Sequence, residues 1–334
     1  TDTLPFDQLA AYLTRTFPLV HQQLKLQTVN HYGRLYEWPG TDPALPPLLL
    51  LAHQDVVPVL PGTEGQWTRP PFAGQQAGGY LYGRGALDDK LNVLGQLEGV
   101  EYLLRTGFRP RRTVLLAFGH DEETQGLRGA AALAALLRRQ HPRLAMVFDE
   151  GGLVKADGVA GLAQPVALVG VSEKGYLTLE LAATGQGGHS SMPPALTSVG
   201  RVAAAVARLE AAPFPARLDG GVSGLLTYLA PAVPFGKRVV FANQWLFGFL
   251  IRKSLAATPS GNAALRTTTA PTMLRGGDKD NVLPIGATAT VNFRLLPGDS
   301  VGQVLRRVRE VVADSLVRLR VVGQGRDASP VSGT

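Results

Sequence analysis

Residues 48–59, LLLLAHQDVVPV, hold an apolar run of strand length that stops at His53 and Asp55. A run of this kind, bounded by polar residues and a proline, reads as a strand buried on both faces, as in a parallel sheet. Two further runs end in the same way. TVLLAFGH leads into DEE at 121–123, and LAMVF leads into DEGG at 149–152. Helical patterns separate these runs, so the chain through residue 170 reads as βαβ units that build a mostly parallel sheet with flanking helices. In an open α/β sheet the loops beyond the carboxyl ends of the strands form the ligand crevice, and the three acidic clusters are expected to meet at one edge.

Between the first two runs, WTRPPFAG (67–74) reads as an irregular proline-rich loop and GRGALDDK (83–90) as a glycine-rich loop entering a helix. That helix has apolar residues at Leu91, Leu94, Leu97, Val100 and Leu104 and stops at Gly107. Taken alone, Asp88 or Asp89 could be no more than its N-cap. From residue 171 the pattern changes. YLTLELAATG alternates with period two, SVGRVAAAVARLEA is helical, TTTAPTMLRGG and ATATVNFRLLPG read as strands, SVGQVLRRVREVVAD is helical and VRLRVVG is a strand. This βαββαβ order is that of a ferredoxin-like α+β domain. The expected organisation is a catalytic domain over residues 1–170, a lid domain over 171–325 with a helical insertion at about 213–266, and a return toward the catalytic domain from 326.

Composition narrows the chemistry. A chain of 334 residues with 45% hydrophobic content can fill the cores of two domains. The net charge of +7 comes from dispersed arginines without a dense basic block or an aromatic-interleaved basic stripe, so no nucleic-acid partner is expected. The absence of cysteine removes disulfides, thiol catalysis and thiolate-bound metal. The apolar stretches fall short of the ~20 residues that a membrane-spanning helix needs. The compartment is not legible, because the chain starts at Thr1 without a methionine.

On a strand, residues i and i+2 face the same way, so His53 and Asp55 share a side. A histidine that ligates metal through one nitrogen commonly donates its other N–H to a carboxylate, which fixes the tautomer. A hydrogen-bonded His–Asp couple without metal satisfies the same two residues. Asp88, Glu122, Glu123 and Asp149 add four carboxylates to the same crevice, and that many acids repel unless cations share the site. Imidazole and oxygen ligands suit zinc, cobalt or manganese, and a bridging carboxylate could hold two ions ~3.5–4 Å apart. Of the adjacent Glu122 and Glu123, one can ligate while the other acts as general base.

Taken together, HQDVVP, W-x-x-PPF-x-G, GRGALDDK, DEETQG, FDEGG and GGHSSMPP resemble, in order and spacing, the aminoacylase and carboxypeptidase S family of di-zinc amidohydrolases, nearest to its carboxypeptidase S and N-acyl-amino-acid hydrolase branch. The resemblance runs from about residue 45 to the end. It implies that His53 and Asp149 hold one zinc, that Glu123 holds the other, and that Asp88 bridges the two. Glu150 stands beside Asp149 as a competitor for its role. The resemblance further implies that Glu122 is the general base, that Asp55 orients His53, and that His189 in GGHSSMPP stabilises an oxyanion in the partner subunit's site. Asn281 and Arg294 match positions that hold substrate, a guanidinium fork being suited to a carboxylate.

The implied reaction is hydrolysis of the amide of a small peptide or N-acyl amino acid with a free carboxylate, through a zinc-bridging hydroxide, in a homodimer formed by the lid. One departure stands out. The family's second zinc takes a further histidine after the lid, and no histidine follows His189 here. The chain is therefore expected to be a fragment, impaired alone, that lacks the last part of its catalytic domain. A catalytically inactive metal- or peptide-binding scaffold would also lack that histidine but would have no use for Glu122. A serine hydrolase of the α/β type would need a G-x-S-x-G elbow, and none occurs.

Overall fold

The computed structural model describes residues 3–156, 162, 164–218 and 220–333. The chain divides into two compact units, the first ending at Gly151 and the second beginning at Gly152.

In the first unit, helices α1 (Leu4–Thr16) and α2 (Pro18–Gln23) precede strands β1 (Lys25–Val29), β2 (Gly33–Trp38) and β3 (Leu48–His53). A small hairpin of β4 (Gln75–Ala77) and β5 (Tyr80–Tyr82) follows, then α3 (Lys90–Arg105), β6 (Val114–Gly119), α4 (Ala130–Gln140) and β7 (Met146–Phe148). The main sheet has five strands in the order β1-β2-β6-β3-β7. β3 runs parallel to both β6 and β7, whereas β1 and β2 are antiparallel. The sheet is thus mixed, with β1, β6, β3 and β7 running one way and β2 alone against them. At its N-terminal edge Asn30 (φ 47°) and His31 (φ 72°) adopt the left-handed conformation that reverses the chain tightly between β1 and β2.

Alternation on β6 divides the core. Leu116 and Phe118 face a cluster with Leu13, Phe17 and Val20 and with Val93, Leu97, Val100 and Leu104 of α3. Leu115 and Ala117 face the opposite layer with Leu133 and Leu137 of α4. Burial on both faces is why these strands read as unbroken apolar runs. Buried Glu101 of α3 accepts the N–H groups of Leu19 (3.2 Å) and Val20 (3.0 Å), which places a carboxylate at the N-terminus of α2.

The second unit begins with the hairpin β8 (Leu153–Lys155) and β9 (Val166–Leu168), which pair only with each other among the described residues. The expected boundary at residue 170 therefore moves to 151, because this hairpin adds nothing to the five-stranded sheet. There follow β10 (Gly175–Thr184), β11 (Gly188–His189), α5 (Ser198–Ala211), α6 (Gly220–Leu229), α7 (Phe235–Ala242), α8 (Gln244–Ala256) and α9 (Pro259–Leu265). The unit continues with β12 (Thr268–Gly276), β13 (Val282–Leu283), β14 (Gly286–Leu295), α10 (Val301–Val312) and β15 (Val317–Arg326).

A four-stranded antiparallel sheet, β12-β14-β10-β15, carries α5 and α10. Its period-two pattern buries Leu177, Leu179 and Leu181 of β10 and Val291, Phe293 and Leu295 of β14 against Val202, Ala205 and Leu209 of α5 and Val304, Val308 and Val312 of α10. Thr197 caps α5, and a Ser300–Gln303 capping box starts α10. Helices α6 to α9 occupy the 213–266 segment. The stretch after residue 326 was expected to begin the return to the first unit. Instead the N–H groups of Ser329 and Ser332 donate to the carbonyls of Glu173 (2.9 Å) and Val171 (2.7 Å), so it remains in the second unit beside the segment that leads into β10.

Candidate metal centre

Because β3, β6 and β7 are parallel neighbours, with Leu50 opposite Phe148 and His53 opposite Gly119, their carboxyl ends share one edge. His53 is its anchor, at 3% exposure. Its backbone N–H donates to Asp89 Oδ2 (3.0 Å). Its Nδ1 lies 3.1 Å from the Asp55 carbonyl and 3.4 Å from Asp55 Oδ1. Its Nε2 faces Asp88 Oδ1 (3.0 Å), Glu150 Oε2 (3.6 Å) and Glu122 Oε2 (4.0 Å). One ring nitrogen is thus held by Asp55 while the other points into three carboxylates.

The electrostatics follow from this crowding. Burial alone would lower the His53 pKa, but the Asp55 hydrogen bond and the charges of Glu150, Asp55 and Asp88 raise it to about 10. Glu150 is pushed up to about 7 by burial and by Asp89, Asp88 and Glu122, against the pull of His53. Glu122 is also raised, first by burial and then by Glu123, Asp55 and Asp88, again against His53. Asp55 moves the other way: burial would raise it, but His53 and the Glu123 N–H (3.0 Å to Oδ2) hold it low. A carboxylate kept ionised sits behind the histidine, and carboxylates that resist ionisation sit in front of it. A cation in front would relieve that repulsion.

The donor geometry fits divalent metal. Ligand atoms of His53, Asp88 and Glu150 come within 4.8 Å of one another, and so do those of His53, Glu122 and Glu123. All are imidazole or oxygen donors, a set suited to zinc, cobalt or manganese. Asp149 is not in either group. Its Oδ1 accepts the Glu150 N–H (2.9 Å), which turns it back on its own backbone while the Glu150 side chain reaches His53.

Local structure explains the placement. Glu122 and Glu123 lie on a single 3-10 turn, Glu122–Thr124, that ends at Gln125 with φ 84°. Asp121 closes that loop by accepting the N–H groups of Arg128 and Gly129, both at 2.7 Å. Asp88 precedes α3, and its peptide bond to Asp89 is cis. Asp89 is fully buried and stands at the N-cap of α3. Its side chain makes no cap; it holds the His53 N–H and the Asn92 amide instead. Lys90 Nζ donates to the Gln54 carbonyl (2.6 Å), and Gln54 Nε2 donates to the carbonyls of Tyr32, Phe118 and Gly119. Of these three supporting residues, Gln54 and Lys90 carry no signal in the sequence, and Asp89 reads there only as a helix N-cap.

In the second unit, β11 pairs with β13 in the register His189 to Val282, and the Ser190 N–H donates to the Asn281 carbonyl (3.1 Å), so His189 and Asn281 are neighbours. The Ser191 N–H lies 3.2 Å from His189 Nδ1 and the Ser191 hydroxyl 2.8 Å from the same nitrogen, so Ser191 holds the ring. Arg294 lies elsewhere. It is opposite Tyr176 near the far end of the β10–β14 ladder, with its guanidinium 4.8 Å from the Tyr176 ring centroid. From Gly286 to Arg294 the strand spans ~27 Å at ~3.4 Å per residue.

The family model described as Peptidase family M20/M25/M40 matches residues 49–295. The chain is 42% identical over 334 residues to the N-fatty-acyl-amino acid synthase/hydrolase PM20D1 of Xenopus tropicalis, covering 99% of this chain and 64% of the relative. It is 36% identical over 315 residues to carboxypeptidase S of Saccharomyces cerevisiae, covering 90% of this chain and 54% of the relative. The chain thus spans less than two thirds of the length of these curated relatives. Among solved structures, the M20 family metallo-carboxypeptidase Sso-CP2 from Sulfolobus solfataricus matches with a TM-score of 0.62 at 20% identity, covering 97% of this chain and 73% of that one. Human carnosine dipeptidase 1 matches with a TM-score of 0.55 at 15% identity, covering 98% and 74%.

Proposed function

The chain belongs to peptidase family M20/M25/M40, and on that premise we propose that the whole protein is a metal-dependent amidohydrolase acting on peptides or N-acyl amino acids with a free carboxylate. The observation that carries this reading is His53, with Nδ1 held by Asp55 and Nε2 facing Asp88, Glu150 and Glu122. His53, Asp88 and Glu150 would hold one ion, and Asp88 with Glu123 would contribute to a second. Glu150 replaces Asp149 in this assignment on the strength of its approach to His53. Zinc is the proposed metal, with cobalt or manganese as substitutes.

Such ions would supply Lewis acidity toward the amide carbonyl and would lower the pKa of a water toward ~7. The chain's own residues do the rest. Glu122, whose pKa is raised by burial, takes a proton from the attacking water and returns it to the leaving amine. His189 donates to the developing oxyanion, and the Arg294 fork anchors the substrate carboxylate. His189 and Asn281 lie by the start of β14 and Arg294 near its end, and this placement supports a proposed homodimer through the second unit, in which Arg294 of one copy and His189 and Asn281 of a second serve one substrate. The names of the curated relatives favour N-acyl amino acids over free peptides as substrates.

The test uses full-length protein, whose metal content is measured and which is assayed on a panel of N-acyl amino acids and dipeptides. Two ions per chain and hydrolysis confined to carboxylate-bearing substrates are expected. Metal-free protein with no turnover would move the reading to a binding scaffold.

A further inference from the structure

The helical insertion presents a surface that the amidohydrolase chemistry does not use. Helix α8, QWLFGFLIRKSLA, is apolar nearly all round, a composition expected of a helix covered on every side. Among the described residues only one side is covered, where Gly248 and Ile251 are buried. At 100° per residue, Trp245, Phe249, Lys253, Leu246 and Leu250 lie around the opposite half, with half-buried Arg252 at its border beside Gly248. Trp245 is 83% exposed, Phe249 61%, Leu246 52% and Leu250 44%. Gln244 at the start of α8 is hydrogen-bonded to Ser223 and Thr227 of α6, so the exposed Tyr228 and Leu225 of α6 belong to the same neighbourhood, and exposed Phe235 opens α7.

Charge identifies what covers this face. Residues 220–277 contain Lys237, Arg238, Arg252, Lys253, Arg266 and Arg275 and no aspartate or glutamate. The two ionisable residues of α8, Lys253 on its open half and Arg252 at the border of that half, are cations on long stems, set among aromatic and leucine side chains. This is the composition of a helix that lies in a lipid interface, with its rings among the acyl chains and its cations at the anionic headgroups. Among the described residues no helix is long and apolar enough to cross a membrane.

We propose that the α6–α8 insertion docks the protein on anionic lipid surfaces, with Trp245 and Phe249 as anchors and Arg252 and Lys253 as headgroup contacts. The inference is independent of the hydrolytic reading.

The test is sedimentation of the full chain with vesicles of phosphatidylcholine alone and of phosphatidylcholine with phosphatidylglycerol. Binding to the anionic vesicles at least tenfold tighter than to the neutral ones is expected, as is quenching of tryptophan emission by brominated acyl chains. Both effects should fall at least tenfold in Trp245→Ser/Phe249→Ser, and the vesicle preference should vanish in Arg252→Glu/Lys253→Glu. Unchanged melting of these surface variants shows that they fold. No partition onto anionic vesicles would overturn the proposal, as would equal binding by the serine variant. A dimer that the serine variant dissociates would assign the face to a second copy and overturn it as well.

Discussion

Replacing Glu150 by alanine separates two neighbouring carboxylates that the sequence alone does not distinguish. Glu150 Oε2 lies 3.6 Å from His53 Nε2, while Asp149 Oδ1 is engaged by the Glu150 N–H at 2.9 Å. Glu150→Ala deletes the donor that converges with His53 and Asp88. Loss of an outer partner alone weakens metal binding ~10–100-fold, roughly 1.4–2.8 kcal/mol, and a direct ligand should cost at least that. Asp149→Ala removes one hydrogen bond of about 1 kcal/mol, so its effect on affinity is at most roughly fivefold.

Titration of metal-stripped protein against a chromophoric zinc chelator measures both variants. A second signature accompanies the first. In the metal-free state Glu150 is pushed up to about 7 by burial and by neighbouring carboxylates, so at pH 8 its removal relieves repulsion and should leave the melting temperature unchanged or higher. With metal present, the same variant should melt lower than the parent. If Asp149→Ala loses the metal and Glu150→Ala keeps it, the assignment made from this geometry is wrong.

Metal affinity should depend on pH. His53 is held up to about 10, so between pH 7 and 9 it carries a proton that binding must displace, and affinity should rise by up to about tenfold per pH unit. Calorimetry in buffers of different ionisation enthalpy should show at least one proton released per chain. The metal-free protein should behave oppositely. His53, raised above its unfolded value, contributes stability that is complete below about 6.5 and lost as pH rises through about 10, so the apo melting temperature should fall across that window. Asp89→Ala strands the buried His53 N–H and the Asn92 amide and should destabilise the fold by about 2–4 kcal/mol in denaturant titrations. In the full-length dimer, mixing inactive His189→Ala with inactive Arg294→Ala and allowing exchange should restore about a quarter of wild-type activity, because half of the sites in each mixed dimer are intact. No recovery would place both residues in the site from one chain.

The parts of the fold that sequence made legible are those whose periodicity has a physical cause. The two-sided burial of β3 and β6 wrote unbroken apolar runs, and the one-sided lid sheet wrote the alternation of β10 and β14. The antiparallel β1–β2 edge escaped because a turn through Asn30 and His31 depends on backbone conformation rather than on hydrophobic pattern. At the site, the ends of the runs pointed to His53, Asp55, Glu122 and Glu123. The choice between Asp149 and Glu150 was beyond sequence, since adjacent carboxylates differ only in which one the loop turns inward. Asp89 was read as a helix-cap candidate, a role its position allows, and only its contact with the His53 N–H revealed what its side chain holds. The separation of Arg294 from His189 and Asn281 likewise rests on strand register, which composition does not report.

The measurement that bears most directly on the central claim is turnover of an N-acyl amino acid by the full-length Glu122→Gln protein, with bound metal quantified in the same sample. The account predicts metal content equal to that of the parent and kcat reduced by about 10²–10⁴-fold, the usual contribution of a general base. Retained turnover, or activity lost together with the metal, would contradict the division of labour between Glu122 and the ligands around His53.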